Sequence, residues 1–444
     1  MTDVDYKNKK IAVLGAGESG EAAAILLAEE GAMVTLLDTA DEKKLRLKID
    51  HFRNLGLAIS VIAGEAAARD RKHYDRAILS PGIDPAVPLV QNFIRRRIDM
   101  IGELELAYEL CKCPVVAVTG TNGKTTTTQL IERMFNGAGV RTLACGNISP
   151  AFAAVVRKSG ELDIMTIEVS SFQLERIRAF RPHIAVWLNL SPNHLDRYHS
   201  MQEYRDAKLR IFENQTEEDF AVVNLRDPLP SLTARKITFS AYQSGGDYEL
   251  RDGVILYHGA AVLALAETKL RGLHNAENLM AALAVGHAHG LAHDKLTEPL
   301  RTYVALPHRC EFVRTFEEVD YINDSKSTNL DALEKALMSE TRPIVLIAGG
   351  KDKGFEFDAL APLLARKARH AVLIGQMAER IAASWQASVP CEKAASLADA
   401  LRLARAHAQP GNVVLFSPGT SSFDMFKSYE DRGNQFRSLV LSMT

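Results

Sequence analysis

The sequence predicts an α/β protein of three domains, and three observations carry that reading. Short continuous apolar runs recur along all 444 residues, each followed by a polar or glycine-rich loop and then by a helical pattern. Such unbroken runs mark strands buried on both faces of a parallel sheet, and their alternation with helices is the βαβ rhythm. The chain is also too long for one core. The rhythm restarts near Pro114 and again near Pro307. The expected units are therefore 1–112, 113–306 and 307–444.

In the first unit "KKIAVLG", "MVTLLD", "LAISVIAG" and "YDRAILSPGI" read as strands, and "ESGEAAAILLAEEG" and "DEKKLRLKIDHFRNLG" as helices. In the second, "PVVAVTG", "RTLACGN", "LDIMTIEVS", "HIAVWLNL" and "DFAVVNL" are five buried-type strands. "DYELRDGVILYHG" then alternates about an Asp-Gly and reads as a hairpin. "HNAENLMAALAVGHAHG" is a helix stopped by glycine. The third unit has strands "RPIVLIAGG", "HAVLIG" and "NVVLFSPG", with helices such as "FDALAPLLARKAR" between them.

Composition narrows the partners. Apolar residues make up 47% and charged residues 24%, and the net charge is −2, so there is no overall basic footprint for nucleic acid. The start, "MTDVDYKNKK", has no apolar signal core, and no run reaches the ~18 apolar residues of a spanning helix. A cytoplasmic monomer with small-molecule partners and no membrane insertion is expected. The five cysteines include no Cys-x-x-Cys pair, and Cys111-Lys-Cys113 reads as incidental.

Two glycine loops follow strands. Gly15-Ala-Gly17-Glu18-Ser19-Gly20 opens a helix, and Asp38 ends the next strand. This is a dinucleotide-type fingerprint, in which glycines admit a diphosphate to a helix N-terminus. A nucleotide diphosphate, NAD among the candidates, and a bare strand-to-helix turn both satisfy it. The second loop, Gly120-Thr121-Asn122-Gly123-Lys124-Thr125-Thr126, is one glycine short of the usual phosphate-loop spacing. Its amides and Lys124 suit nucleotide phosphates, and the Thr125 hydroxyl suits Mg²⁺. Glu168 ends an apolar strand at the edge where a second Mg²⁺-directed acid belongs. His194 and Asp196 leave the same edge in "NLSPNHLDRYHS".

In "MQEYRDAKLRIFEN", Tyr204, Lys208, Ile211 and Phe212 share one helical face. Lys208 therefore interrupts an apolar stripe. It must snorkel, pair, lose its charge or be chemically changed, and the pattern alone favours snorkelling. In the third unit, "ALPHRCEF", "YINDSKSTN", "AGGKDKGFEF" and "FSPGTSSFDMFKSYEDRG" bring lysines and hydroxyls to one sheet edge. That edge suits an anionic ligand such as a carboxylate.

Taken together, these segments resemble the Mur ligase family, ATP-dependent amide-forming enzymes of peptidoglycan assembly. The resemblance covers essentially the whole chain, and the shortened loop at Gly120 is the family's own variant. It implies a Rossmann-like N-terminal domain, a central P-loop ATPase-type domain with a mainly parallel sheet, and a Rossmann-like C-terminal domain. "SPNHLDRY", "GLHNAEN", "LPHRCE", "INDSKSTN", "GGKDKG" and "SSFDMFKSYEDRG" resemble the member that joins D-glutamate to UDP-N-acetylmuramoyl-L-alanine.

The resemblance also implies roles. Gly15, Gly17, Glu18, Ser19, Gly20, Asp38 and Thr39 would cradle the uridine diphosphate, with Asn147 near the muramoyl part. Gly120 to Thr126, Asn275, Asn278, Arg309 and Asp324 would hold ATP. Thr125 and Glu168 would bind one of two Mg²⁺ ions, and His194 the other, aided by Lys208 if carboxylated. Lys326, Thr328, Lys353, Ser422, Phe423 and Tyr429 would form the amino-acid pocket, Tyr429 standing where the family often has Phe. Lys124, Glu168, His194 and Lys208 would be catalytic, His194 as candidate base. Rival readings leave segments without a task. A diamino-acid-adding ligase typically carries an Asp-Asn-Pro-Arg motif, absent here. A folylpolyglutamate synthase lacks the first glycine loop. A non-catalytic nucleotide-binding regulator needs no Lys208, and an NAD dehydrogenase accounts for the first loop alone.

Overall fold

The structure is a computed structural model and describes residues 4–192, 197–304, 307–340, 342–352 and 355–443. Among these residues the strands form three sheets. The first contains β1 (Lys10–Leu14), β2 (Met33–Asp38), β3 (Ser60–Ala63), β4 (Arg76–Leu79) and β5 (Met100–Gly102), in the order β3-β2-β1-β4-β5. All its pairings are parallel. The strand order reverses at β1, whose exit carries the first glycine loop, and such a switch point is where open sheets bind ligands.

The second sheet contains β6 (Val115–Thr119), β7 (Ala144–Gly146), β8 (Met165–Glu168), β9 (Ile184–Trp187), β10 (Phe220–Asn224), β11 (Arg235–Ser240), β12 (Tyr248–Arg251), β13 (Val254–Tyr257) and β14 (Ala260–Ala264). Its order is β14-β13-β12-β11-β10-β9-β6-β8-β7. Strands β6 to β12 pair in parallel, and β12-β13-β14 close the edge as an antiparallel meander. The Asp252-Gly253 turn joins β12 to β13 as expected, with both residues at positive φ. The third sheet contains β15 (Glu311–Phe316), β16 (Val319–Asn323), β17 (Ile344–Gly349), β18 (Ala368–Ile374), β19 (Cys391–Lys393) and β20 (Val413–Phe416), in the order β15-β16-β20-β17-β18-β19. Only β15 runs antiparallel.

One core cluster runs unbroken from Tyr6 and Leu27 of the first sheet's layer to Phe152, Phe180 and Trp187 of the second. Polar seams reinforce it. The buried carboxylate of Glu105 accepts from the amides of Arg178, Ala179 and Phe180 at 2.8, 2.6 and 3.1 Å. The third sheet keeps separate cores on its two faces. One helical expectation needs correcting. "FDALAPLLARKAR" is helical only to Lys367, and Ala368-Arg369 already belong to β18, because burial against β17 overrides the helical preference of the segment's end.

Candidate active site

Strand β6 is buried throughout and sits between β9 and β8 in the middle of its sheet. Its loop turns back through Gly120 (φ +155°) and Gly123 (φ +83°) into the helix Lys124–Gly137. At Gly123 a Cβ would stand 2.4 Å from Asn278 Oδ1, so the glycine permits both the backbone conformation and the close approach. The loop after β9 holds this turn in place. Asn189 Oδ1 accepts from the Asn122 amide at 2.9 Å, its Nδ2 donates to the Asn122 carbonyl at 3.1 Å, and its carbonyl accepts from the Thr121 amide at 2.9 Å. Asn189 is a site residue that sequence reasoning passed over. Its signal was the polar residue directly after an apolar strand.

Lys124 bends back along its own loop and donates to the carbonyls of Gly120 at 2.9 Å and Thr121 at 3.0 Å. Desolvation lowers its pKa; Glu168 opposes that, while the charges of Arg309 and Lys335 add to it. At the helix's second residue, Thr125 Oγ1 donates to Glu168 Oε2 at 2.7 Å. Asn147 Nδ2 donates to Glu168 Oε1 at 2.8 Å. Glu168 is 3% exposed, so its two oxygens are presented inward between these groups. Thr125 Oγ1 and the carboxylate are hard oxygen donors, the kind Mg²⁺ takes.

Lys208 lies on the helix Met201–Leu209 and is 1% exposed, so it does not snorkel. The pattern was read correctly, since Tyr204, Ile211 and Phe212 are buried beside it, but the favoured outcome was wrong. The reason is geometric: the stripe faces the phosphate loop, where the amine finds acceptors. Its Nζ donates to the Gly120 carbonyl at 2.9 Å and to Thr119 Oγ1 at 3.4 Å, and it lies 4.8 Å from the Tyr204 ring centre. Desolvation, followed by repulsion from Lys124, holds its pKa well below the usual lysine value. Lys124 and Lys208 thus share one carbonyl oxygen. Two full positive charges so close in a buried place are unfavourable, which disfavours the ammonium form of Lys208.

Helix Leu273–Ala288 brings Asn275 and Asn278 to the same loop. Asn278 Nδ2 donates to Asn275 Oδ1 at 3.2 Å, and Asn278 Oδ1 accepts from Thr127 Oγ1 at 3.2 Å.

The exits of β16, β20 and β17 converge on one edge of the third sheet, as expected. Asp324 is buried there. It accepts from Ser417 Oγ at 2.7 Å and the Cys310 amide at 3.1 Å, and burial pushes its pKa up to about 7. Arg309 is half-buried beside it. The Lys326 ammonium lies 3.7 Å from the Tyr429 ring centre, and burial, then Arg309, pushes its pKa down to about 8. Thr328 is half-buried, Ser422 is 2% exposed and Phe423 is 66% exposed. His194 and Lys353 lie outside the described residues, as does Asp196.

Arg432 was also missed. It is fully buried and ties two of these loops together, donating to Ser325 Oγ (3.0 Å), the Ser325 carbonyl (2.7 Å) and the Thr420 carbonyl (3.2 Å). The signal was present, because Arg432 interrupts the stripe it shares with Phe436 and Val440 just as Lys208 does. Arg432→Met should leave these carbonyls unpaired and cost about 3 kcal/mol. Thermal unfolding checks this, and a midpoint unchanged from the parent would show that Arg432 does not brace the loops.

In the first domain Gly15 (φ +98°) begins the turn, and Gly20 packs so closely that a Cβ would stand 1.9 Å from the Gly15 carbonyl. Asp38 is engaged with backbone. Its two oxygens accept from the Ala16 amide at 2.7 Å and the Ala40 amide at 2.8 Å, bracing the glycine loop against the turn after β2. Gly17, Glu18 and Thr39 are exposed along this rim, and Ser19 is half-buried.

Three family models match in series: the Mur ligase MurD-like N-terminal domain over residues 9–102, the Mur ligase middle domain over 118–286, and the Mur ligase glutamate ligase domain over 308–419. The UDP-N-acetylmuramoylalanine--D-glutamate ligase of Geobacter sp. (strain M21) is 40% identical, with 98% of each chain covered. That of Pelotomaculum thermopropionicum is 41% identical, with 99% of each covered. Among solved structures, the UDP-N-acetylmuramate-alanine ligase of Thermotoga maritima superposes with a TM-score of 0.62 at 19% identity, over 98% of this chain and 100% of that one. MurF of Acinetobacter baumannii gives 0.59 at 17%, over 96% and 93%. At such identities the structural likeness speaks for the fold alone. Three domain matches in order and about 40% identity along nearly the whole length place this chain in the Mur ligase family of ATP-dependent carbon–nitrogen ligases.

Proposed function

We propose that the chain joins D-glutamate to UDP-N-acetylmuramoyl-L-alanine, converting ATP to ADP and phosphate, as a step of peptidoglycan precursor synthesis. The observation that carries this reading is the near-full-length similarity, at about 40%, to ligases of that name. It extends through the third-domain loops, where the family's members must differ in the amino acid they accept.

The chemistry follows from charge. A carboxylate acylates poorly because hydroxide is a poor leaving group. Its oxygen attacks the γ-phosphate of ATP, the bond to ADP breaks, and an acyl phosphate forms. Lys124, released from the Gly120 and Thr121 carbonyls, neutralises phosphate charge, and the loop amides hold the oxygens. Mg²⁺ would neutralise the crowded phosphate oxygens, one ion held by Thr125 and Glu168 and a second by His194 and a carboxylated Lys208. Asn275, Asn278, Arg309 and Asp324 complete the nucleotide site, and Gly15 to Gly20, Asp38, Thr39 and Asn147 the sugar-nucleotide site. The D-glutamate amine then attacks the acyl carbon, and the tetrahedral intermediate expels phosphate. The proton lost from the amine needs a base, for which His194 is our candidate.

We place the domain divisions near 112 and 306. The continuous core between the first two sheets and the separate cores of the third support closure of the third domain alone, which excludes water from the acyl phosphate.

Phosphate release tests the reading, with ATP, Mg²⁺ and UDP-N-acetylmuramoyl-L-alanine, comparing D-glutamate, L-glutamate, L-lysine and meso-diaminopimelate. Turnover with D-glutamate alone is expected. Turnover with a diamino acid instead would reassign the amino-acid substrate.

Lys326, Thr328, Lys353, Ser422, Phe423 and Tyr429 are our amino-acid pocket. Lys326→Ala should raise the KM for D-glutamate by about 10- to 100-fold, the worth of one charge-assisted hydrogen bond, and leave the KM for ATP unchanged. Because the Lys326 pKa is lowered to about 8, its charge is present below that pH and lost above it. The D-glutamate KM of the parent enzyme should therefore climb above pH 8, and that of the variant should not. A change confined to ATP would show the pocket to be misplaced.

A further inference from the structure

At the end of the third sheet opposite the active-site loops, three side chains from three elements meet. His370 is the third residue of β18, Glu392 the middle residue of β19, and His407 the last residue of the helix Leu397–His407. Strands β18 and β19 are parallel, with Val372 opposite Glu392, so His370 and Glu392 are diagonal neighbours on one face. The helix returns antiparallel to the strands and delivers His407 to the same spot. One ligand atom from each residue lies within 4.8 Å of the others.

The contacts have the dimensions of a metal site. His407 Nε2 stands 3.0 Å, and His370 Nε2 3.7 Å, from the same Glu392 Oε2. Donors about 2.0–2.1 Å from a tetrahedral Zn²⁺ are about 3.4 Å apart, between these two values. The His370 Nε2 atom is screened from solvent and makes no hydrogen bond. The two rings stack at 3.6 Å between centres with 13° between planes. Two imidazolium ions would repel in that stack, and neutral imidazole is the form that ligates metal. The lone pairs of parallel rings do not converge, so a shared ion requires one ring to tilt. His407, at a helix end with its side chain 39% exposed, is free to do so.

We infer that His370, Glu392 and His407 form a binding site for a borderline transition-metal ion such as Zn²⁺, with an open position for water. Two imidazoles and one carboxylate suit Zn²⁺ and discriminate against Mg²⁺, which prefers oxygen donors. The site is distinct from the active-site loops that leave β16, β20 and β17, since β18 runs parallel to β17 and His370 lies toward its N-terminal end, opposite Val345. A bound ion would pin the helix to the sheet edge. Its effect should be on stability, not on the reaction.

The test uses the full-length protein, freed of metal with a chelator and then exchanged into chelator-free buffer containing millimolar Mg²⁺. Zn²⁺ titrated calorimetrically at pH 7.5 should show one site of micromolar or tighter dissociation constant and should raise the thermal midpoint. His407→Ala, at an exposed helix end where folding is not at stake, should weaken that site at least tenfold and abolish the rise in midpoint. Glu392→Gln should weaken it as well. Co²⁺ should give a visible ligand-field band in the parent that both variants lose. No Zn²⁺ site, or one with the same affinity in both variants, would overturn the inference and leave the cluster as a stacked histidine pair with one hydrogen-bonded carboxylate.

Discussion

Replacing Lys124 with alanine is expected to abolish phosphate release while leaving the fold intact. The side chain is half-buried at the first residue of the helix Lys124–Gly137, and its partners are the Gly120 and Thr121 carbonyls of its own loop. Those carbonyls lose only one charged donor, and Gly120 keeps Lys208. The thermal midpoint should therefore stay within a few degrees of the parent. The reaction loses more. In the proposed reaction the transferred phosphoryl group would carry its charge on oxygens met by the loop amides and this one ammonium, and removing a single preorganised donor from such a site costs about 10²- to 10³-fold in rate. Since Lys124 carries a full charge where a backbone amide carries a partial one, about 10³-fold or more is expected in kcat/KM. Lys124→Arg keeps the charge but not the reach between two carbonyls, and should recover little. Retained turnover in the alanine variant would remove this loop from the chemistry.

Much of this site was legible because strands and loops obey local rules. Glu168 could be placed because an apolar strand ends in an acid. The converging loops of the third sheet could be placed because βαβ units put every parallel strand's exit on one edge. The hairpin at Asp252-Gly253 followed from turn chemistry alone. What stayed hidden depended on contacts across elements. Asp38 reads in sequence as the acid of a dinucleotide-type fingerprint, yet both its oxygens are taken by the Ala16 and Ala40 amides. The role of Asn189 depends on β9 lying beside β6 and not elsewhere in the sheet. Arg432 and Lys208 carried the same sequence signal, a charge within an apolar stripe. No pattern says whether such a charge escapes to water or finds carbonyls, because that depends on what the stripe packs against.

Lys208→Ala should be inactive, and short carboxylates such as formate or acetate should restore part of its activity. The argument starts from the conflict at Gly120. Lys208 is 1% exposed, its pKa lies well below the usual value, and it shares its acceptor with Lys124. A neutral amine in that position is a nucleophile toward dissolved CO₂. The nitrogen lone pair forms a bond to the carbon, one N–H proton leaves to solvent, and the product is a carbamate bearing a delocalised negative charge. The side chain would then change from a neutral amine into an anion that attracts Lys124. It would also become an oxygen donor within reach of the Glu168 charge, suited to a hard divalent cation. The family resemblance implies the same modification. Alanine removes the anion and leaves a vacancy that formate or acetate can fill, so added carboxylate should raise the rate in a saturable way. Lys208→Arg, which fills the vacancy and keeps a positive charge, should be inactive with or without carboxylate. The parent should lose activity in CO₂-depleted buffer and regain it with bicarbonate. Normal untreated activity of the alanine variant would reject a carboxylated Lys208. An inactive variant that no carboxylate rescues, beside a parent indifferent to CO₂, would make Lys208 a cation-bearing brace of the phosphate loop.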